Sequence, residues 1–287
     1  MEKILQLIDE KLQALREADS ALGTNKVVGL SQIDKETADA AIGGGFEDKD
    51  KSDDVVAGSK AKIAVGELKP AQTEIIKEKA FGMAINFLLN NKWKNADLGN
   101  IVSKDNYIMD GHHRWAAISL IDPSSTVDVT QIDLPGQPLV TTLNLITKGK
   151  FGIDIGNKGE GNVAEFTGKN FDTIISSAMK EGVKGDFPIS AEDVNKALGM
   201  IPGADGDAEK GKQIMMANAD KLPKQKMPGA PARVEMPVIS KERVEIVKNM
   251  LAKGAVDIEE PFSSGVKPVK ENLQEIKRWQ KLAGIIK

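Results

Sequence analysis

"NYIMDGHHRWAA", residues 106–117, holds both histidines of the chain, side by side between an acid and an arginine. Tyr107 and Met109 share one strand face, and "HHRWAAISLI", from His112 onward, has a helical pattern. The segment therefore predicts a strand that ends at Asp110, turns at Gly111 and runs into a helix. Asp110 suits the N-cap position, and Gly111 permits a tight turn or the close approach of a ligand.

Outward from this junction the pattern alternates between strand and helix. "AKIAVGEL", residues 61–68, reads as a strand running into Pro70, and "TEIIKEKAFGMAINFLLNN", residues 73–91, as a helix. Ile75, Ile76, Ala80, Met83 and Phe87 form the apolar face of that helix. "IVSKDNYIMD" places two short β-branched or aromatic runs around Lys104 and Asp105, a hairpin signature, and "VDVTQIDL" alternates as a half-buried strand. Residues 61–147 thus predict a small mixed-sheet α/β (α+β) core with helical N- and C-terminal extensions. Aromatic residues are only 4% and charged residues 28%, so that core must be built mainly from Ile, Leu, Val, Met and Ala.

The flanks differ in character. In residues 1–18, Ile4, Ile8, Leu12 and Leu15 recur at helical steps with Leu5 widening the stripe, an amphipathic helix. Residues 19–60 include "GGGFEDKDKSDDVVAGSK", a polar, Gly-rich composition expected of a flexible linker. Asp48, Asp50 and Ser52 resemble a calcium loop only faintly, because Asp53 stands where Gly is needed and Ser59 where Glu is needed. The Gly-rich residues 148–162 read as a hinge, and 163–287 as a helical region around a Pro-rich, extended passage, "LPKQKMPGAPARVEMP". Its last helix carries Leu273, Ile276, Trp279, Leu282 and Ile286 on one stripe.

A net charge of −3 provides no whole-protein attraction to nucleic acid or an anionic membrane, so a phosphate site must be local. Without cysteine the chain has neither disulfides nor a thiolate nucleophile nor a Cys-type zinc site. The N-terminus lacks the uninterrupted apolar run of a signal peptide, and nowhere are there the roughly 18 apolar residues of a membrane span. The expectation is a cytoplasmic protein with no membrane partner.

At a strand-turn-helix junction the first helical N–H groups lack intrahelical acceptors, and the helix dipole adds positive charge, so an anion is favoured there. His112, His113 and Arg114 project from that turn. Arg114 offers a planar fork for phosphate oxygens, and an imidazole can move a proton near neutral pH. Taken singly each residue has a plainer role: Asp110 as cap, Trp115 as core, Arg114 as surface cation, one histidine as a satisfied hydrogen-bonding group. Taken together they read as a phosphate clamp with an acid or base. Adjacent helical histidines point about 100° apart and no H-x-x-x-H spacing exists, which argues against zinc. A Mg²⁺ held by Asp110 and substrate phosphates fits better.

The run "GELKPAQTEI", a helix, a hairpin and then "YIMDGHHRWAA" followed by a strand resembles the ParB/sulfiredoxin superfamily, in particular its ParB-like nuclease branch common in phages. The resemblance covers residues 61–147. It implies a second-box nucleotide clamp at Gly111, His112, His113 and Arg114, with Asp110 beside it. The Asp-Gly-His-His-Arg form is similar to that of the free serine kinases of the superfamily, which implies a first-box acidic base at Glu74, with Gln72 and Glu67 as further candidates. Classical partition proteins carry Gly-Glu-Arg-Arg and a helix-turn-helix that are missing here, and sulfiredoxins need a Cys that this chain lacks. The implied activity is a ParB-like nuclease or nucleotide hydrolase. Glu74, His112 and His113 would be catalytic, and the ligand would be a nucleotide such as ATP, ADP or CTP, or DNA, with Mg²⁺.

Two alternatives stand beside it: a nucleotide-dependent small-molecule kinase, and a catalytically silent nucleotide-binding phage structural protein. The second would self-associate or join a virion through residues 1–18 and 163–287, placing it in the host cytoplasm or the virion. "GDAEKGKQ", residues 206–213, matches a Walker A loop only until Gln213 replaces the required Ser or Thr. "GNKGEGN", residues 156–162, lacks the context of a dinucleotide fingerprint.

Overall fold

The computed structural model describes residues 27–47, 57–181 and 189–256. The expected helices at 1–18 and 273–286 lie outside those residues. Within them the chain is a mixed α/β fold of five strands and eight helices. The strands are β1 (Ala57–Ala64), β2 (Lys69–Pro70), β3 (Asp97–Ser103), β4 (Tyr107–Ile108) and β5 (Thr126–Ile132). The helices are α1 (Lys35–Glu47), α2 (Lys77–Leu89), α3 (His112–Ile121), α4 (Gly136–Phe151), α5 (Phe171–Glu181), α6 (Ala191–Gly199), α7 (Ala208–Lys221) and α8 (Lys241–Ala252).

The sheet order is β1-β5-β3-β4-β2. β1 and β5 are antiparallel, β5 and β3 parallel, β3 and β4 antiparallel, β4 and β2 parallel. The expected hairpin forms with Val102 opposite Ile108, and Asn106 takes the left-handed backbone its turn requires, φ 68°. Alternate strand residues divide between two apolar clusters, as a sheet covered on both faces demands. Ile63, Val102, Ile108, Val127 and Val129 pack with α2, α3 and α5 to α7. Ile101, Met109 and Ile132 pack with α1, α4 and the segment around Met227 and Met236.

Three segments depart from their expected roles. Part of the expected linker is structured: α1 buries Ala38 and Ala41 and lies on α4, where Gly149 leaves room for Ile42. A narrow stripe of small residues, invisible to a composition argument, is enough to seat a helix that closely. The expected hinge at 148–162 is instead the end of α4, closed by Gly152 with φ 62° and ψ 30°, followed by a fastened strap. Gly156 N–H donates to Val234 O at 2.6 Å and Val163 N–H to Thr73 O at 2.8 Å.

The described part of the C-terminal region completes the core rather than extending it. Phe171 meets Phe81 edge-on at 5.6 Å, and the Asn218 side chain donates to Leu120 O at 3.0 Å. The Walker-like stretch is an ordinary helix start: Asp207 caps α7 by accepting from the N–H groups of Glu209 and Lys210, and Lys212 pairs with Asp172. Among the described residues no helix is long and apolar enough to cross a membrane.

Candidate functional site

Trp115 anchors the junction between β4 and α3. Its side chain is fully buried and its indole N–H donates to Val65 O at 3.0 Å. Gly111, not Asp110, is the N-cap of α3, with φ 91° and ψ 21°. A Cβ there would stand 1.9 Å from Oδ1 of the buried Asn100, so both backbone conformation and space require glycine. Asp110 is thereby displaced from the capping role and pairs with Arg114 one turn on, Oδ2 to the guanidinium at 2.9 Å.

The two histidines serve the preceding loop. His112 is 4% exposed, and its Nε2 accepts from Ala71 N–H at 3.2 Å. With Nε2 accepting, a neutral ring keeps its proton on Nδ1, so Nδ1 does not also accept from the Gln72 side-chain N–H 3.4 Å away. His113 Nε2 accepts from Ile76 N–H at 3.0 Å, the residue that caps α2. The pair thus staples residues 71–76, which carry Glu74, to the start of α3. Burial pulls His112 down to about 3, helped by the adjacent His113 ring and by Arg233, and pulls His113 down to about 4, helped by Lys79 and Arg233. Neither imidazole holds an extra proton near neutrality, so the expected acid role passes from both. Each positions the loop, and His113 keeps an Nδ1 proton with which to donate a hydrogen bond.

A cavity of about 350 Å³ lies at this junction. Gln72, Glu74, Asp110, Gly111, His112, His113 and Arg114 all line it, which brings these sequence-predicted residues to one place. Glu67 does not: it is exposed on the 3-10 turn that follows β1 and faces no part of this cavity. Further walls come from Lys79 and Met83 on α2 and from the strap at Asn157 to Glu160. Arg233, Pro237 and Ile239 of the Pro-rich passage complete them. Four cations, Lys79, Arg114, Lys158 and Arg233, face three carboxylates, Glu74, Asp110 and Glu160, an excess of one positive charge.

Burial pushes the Asp110 carboxyl above its ordinary range, opposed by the Arg114 charge. Burial likewise lowers Arg233, while Glu74 and Asp110 support its charge. Glu74 accepts from Thr73 N–H at 3.1 Å and is pressed by the strap, where a Cβ on Gly159 would stand 2.3 Å from Glu74 Cγ. Among the described residues no three His, Asp or Glu side chains gather as a metal site. Arg233, Lys79 and the strap escaped sequence reasoning. The available signal was the glycines of "GNKGEGN", which permit close approach at Gly159 and φ 74° at Gly161. Nothing marked Arg233.

Comparison of the chain with models of protein families, with curated proteins and with solved structures gives no match in any of the three.

Proposed function

We propose that this chain binds a phosphate ester or anhydride at the N-terminus of α3 and hydrolyses or transfers it, on a ParB/sulfiredoxin-like core. One observation carries the reading. Glu74 and the Asp110–Arg114 group, distant in sequence, face the same cavity at a helix start whose first N–H groups have no helical acceptors. Phosphoryl chemistry asks chiefly for positioning and charge stabilisation, which guanidinium groups and oriented amides supply.

In this mechanism the amides of the first α3 turn, Arg114 and the Nδ1–H of His113 hold the phosphate oxygens. Glu74 is the base toward an attacking water or hydroxyl. Asp110, its carboxyl shifted upward, is the group suited to hold a proton for the leaving oxygen. His112 keeps the base-bearing loop in place. A Mg²⁺ bound with the ligand would be held by Asp110 as a carboxylate, in place of its role as proton donor, and would supply charge neutralisation.

The cavity's size favours a nucleotide or another small phosphate ester over duplex DNA, which reaches such a site only through a single phosphate. A second reading, binding without turnover, is favoured by the commitment of both histidine Nε2 atoms to backbone amides. A thermal-shift panel of nucleotides with and without Mg²⁺, on wild type and Arg114→Ala, tests binding. A ligand at a hundredfold excess over Kd stabilises by about 2.7 kcal/mol, a shift the variant should lose. Release of inorganic phosphate, or cleavage of single- and double-stranded DNA, separates turnover from binding alone. Equal thermal shifts in both proteins would remove the clamp.

A further inference from the structure

Arg114 already has an anionic partner in Asp110 at 2.9 Å. The cavity's other guanidinium comes from a remote part of the chain and is held with more care. Arg233 sits on a 3-10 turn, Arg233–Glu235, fastened from three directions. Gly156 N–H donates to Val234 O at 2.6 Å, and the carbonyls of Arg233, Val234 and Met236 crowd the space a Cβ on Gly156 would need. Ser31 donates to the Glu235 carboxylate from both its N–H and its hydroxyl, each at 2.8 Å. The Asn144 side chain donates to Glu235 O at 2.9 Å and to Val28 O at 2.9 Å.

A half-buried cation among cavity walls is costly to maintain, and a turn braced on three sides is what holds it there against solvation. It lines the same cavity as Glu74 and Asp110, whose charges support its own. Those groups flank the place where the phosphate is read to bind. The planar fork of an arginine matches two oxygens of one anionic group, and two arginines match two such groups.

We propose that Arg233 is a ligand-binding residue that grips, together with Arg114, a ligand bearing two adjacent anionic groups, one at each guanidinium. The inference rests on the reading of this cavity as an anion site. It makes the ligand a diphosphate or longer rather than a monoester, and makes the Ser31–Glu235 link the brace that positions its second anchor.

Calorimetric titration of the full chain with inorganic phosphate and with pyrophosphate tests this on wild type, Arg233→Met, Arg233→Lys and Arg114→Met. Wild type is expected to bind pyrophosphate about tenfold or more tightly than phosphate. Arg233→Met should erase that preference while keeping phosphate binding, and Arg233→Lys should restore only part of it, lacking the fork. Arg114→Met should weaken both ligands. Equal affinities in wild type would overturn the two-anchor arrangement whether or not any variant folds. A folded Arg233→Met that keeps the preference would overturn the role of Arg233 alone. Wild type binding neither anion would remove the anion site itself, and this inference with it.

Discussion

The two histidines make a sharp acid-stability prediction. Both are neutral acceptors of backbone N–H groups in the fold, with His112 lowered to about 3 and His113 to about 4, against an unfolded value near 6.5. Because the folded values are depressed, the stability they confer is fully present above about pH 6.5 and drains away as pH falls toward those values. At about pH 6.5 unfolding takes up about one proton, rising toward two near pH 5, where stability falls by roughly 3 kcal/mol per pH unit. Between about pH 6.5 and 5 this sums to about 3 kcal/mol, a large share of the ~5–15 kcal/mol stability of a typical domain. The groups facing the pair are the Ala71 and Ile76 amides and Gln72, with Lys79 and Arg233 nearby, and both cations oppose imidazolium formation. Asp110, shifted upward, acts in the opposite sense, gaining stability as it protonates, but it is one proton against two. The chain has no other histidine, so urea unfolding followed by circular dichroism reads the pair directly across this window. The double variant His112→Gln, His113→Gln, which keeps acceptors without titration, should flatten the slope. A wild-type stability that is flat from about pH 7 to 5, or an unchanged slope in the double variant, refutes the assignment of both rings as neutral acceptors.

Other perturbations separate fold from site. Gly111→Ala places a Cβ on Asn100 and forces a left-handed backbone, so it should cost about 2 kcal/mol or more in chemical denaturation. Trp115→Ala should cost about 3–5 kcal/mol through lost burial and the orphaned Val65 carbonyl. Gly159→Ala, on an exposed strap, should leave the melting temperature nearly unchanged yet displace Glu74 and lower any phosphate-releasing turnover by roughly a hundredfold. Turnover unaffected by that substitution would count against Glu74 as the base.

Legibility from sequence followed the range of the interactions. The β4-turn-α3 junction, α2, the hairpin and β5 were readable because hydrophobic period and turn chemistry are local signals. The sequence marks Gly111 as the turn and Asp110 as the cap, whereas Gly111 is the cap itself, because the requirement for glycine comes from Asn100, remote in sequence. The histidines were recognisable as unusual, whereas their chemistry was not, since it depends on which backbone N–H each ring meets. The Gly-rich strap reads as a hinge because flexibility and close approach demand the same residue. Arg233 had no local mark at all: its place in the cavity is set by Gly156, Ser31 and Asn144, each from a different part of the chain.

The central claim is that anionic oxygens rest on the amides at the start of α3. Titration of the ¹⁵N-labelled chain with pyrophosphate, followed by two-dimensional NMR, reads those amides one by one. The largest shifts are expected at the backbone N–H groups of His112, His113 and Arg114 and at the guanidinium Nε–H of Arg114 and Arg233. Shifts confined to surface lysines, or a spectrum unmoved around residues 111–114, would contradict it.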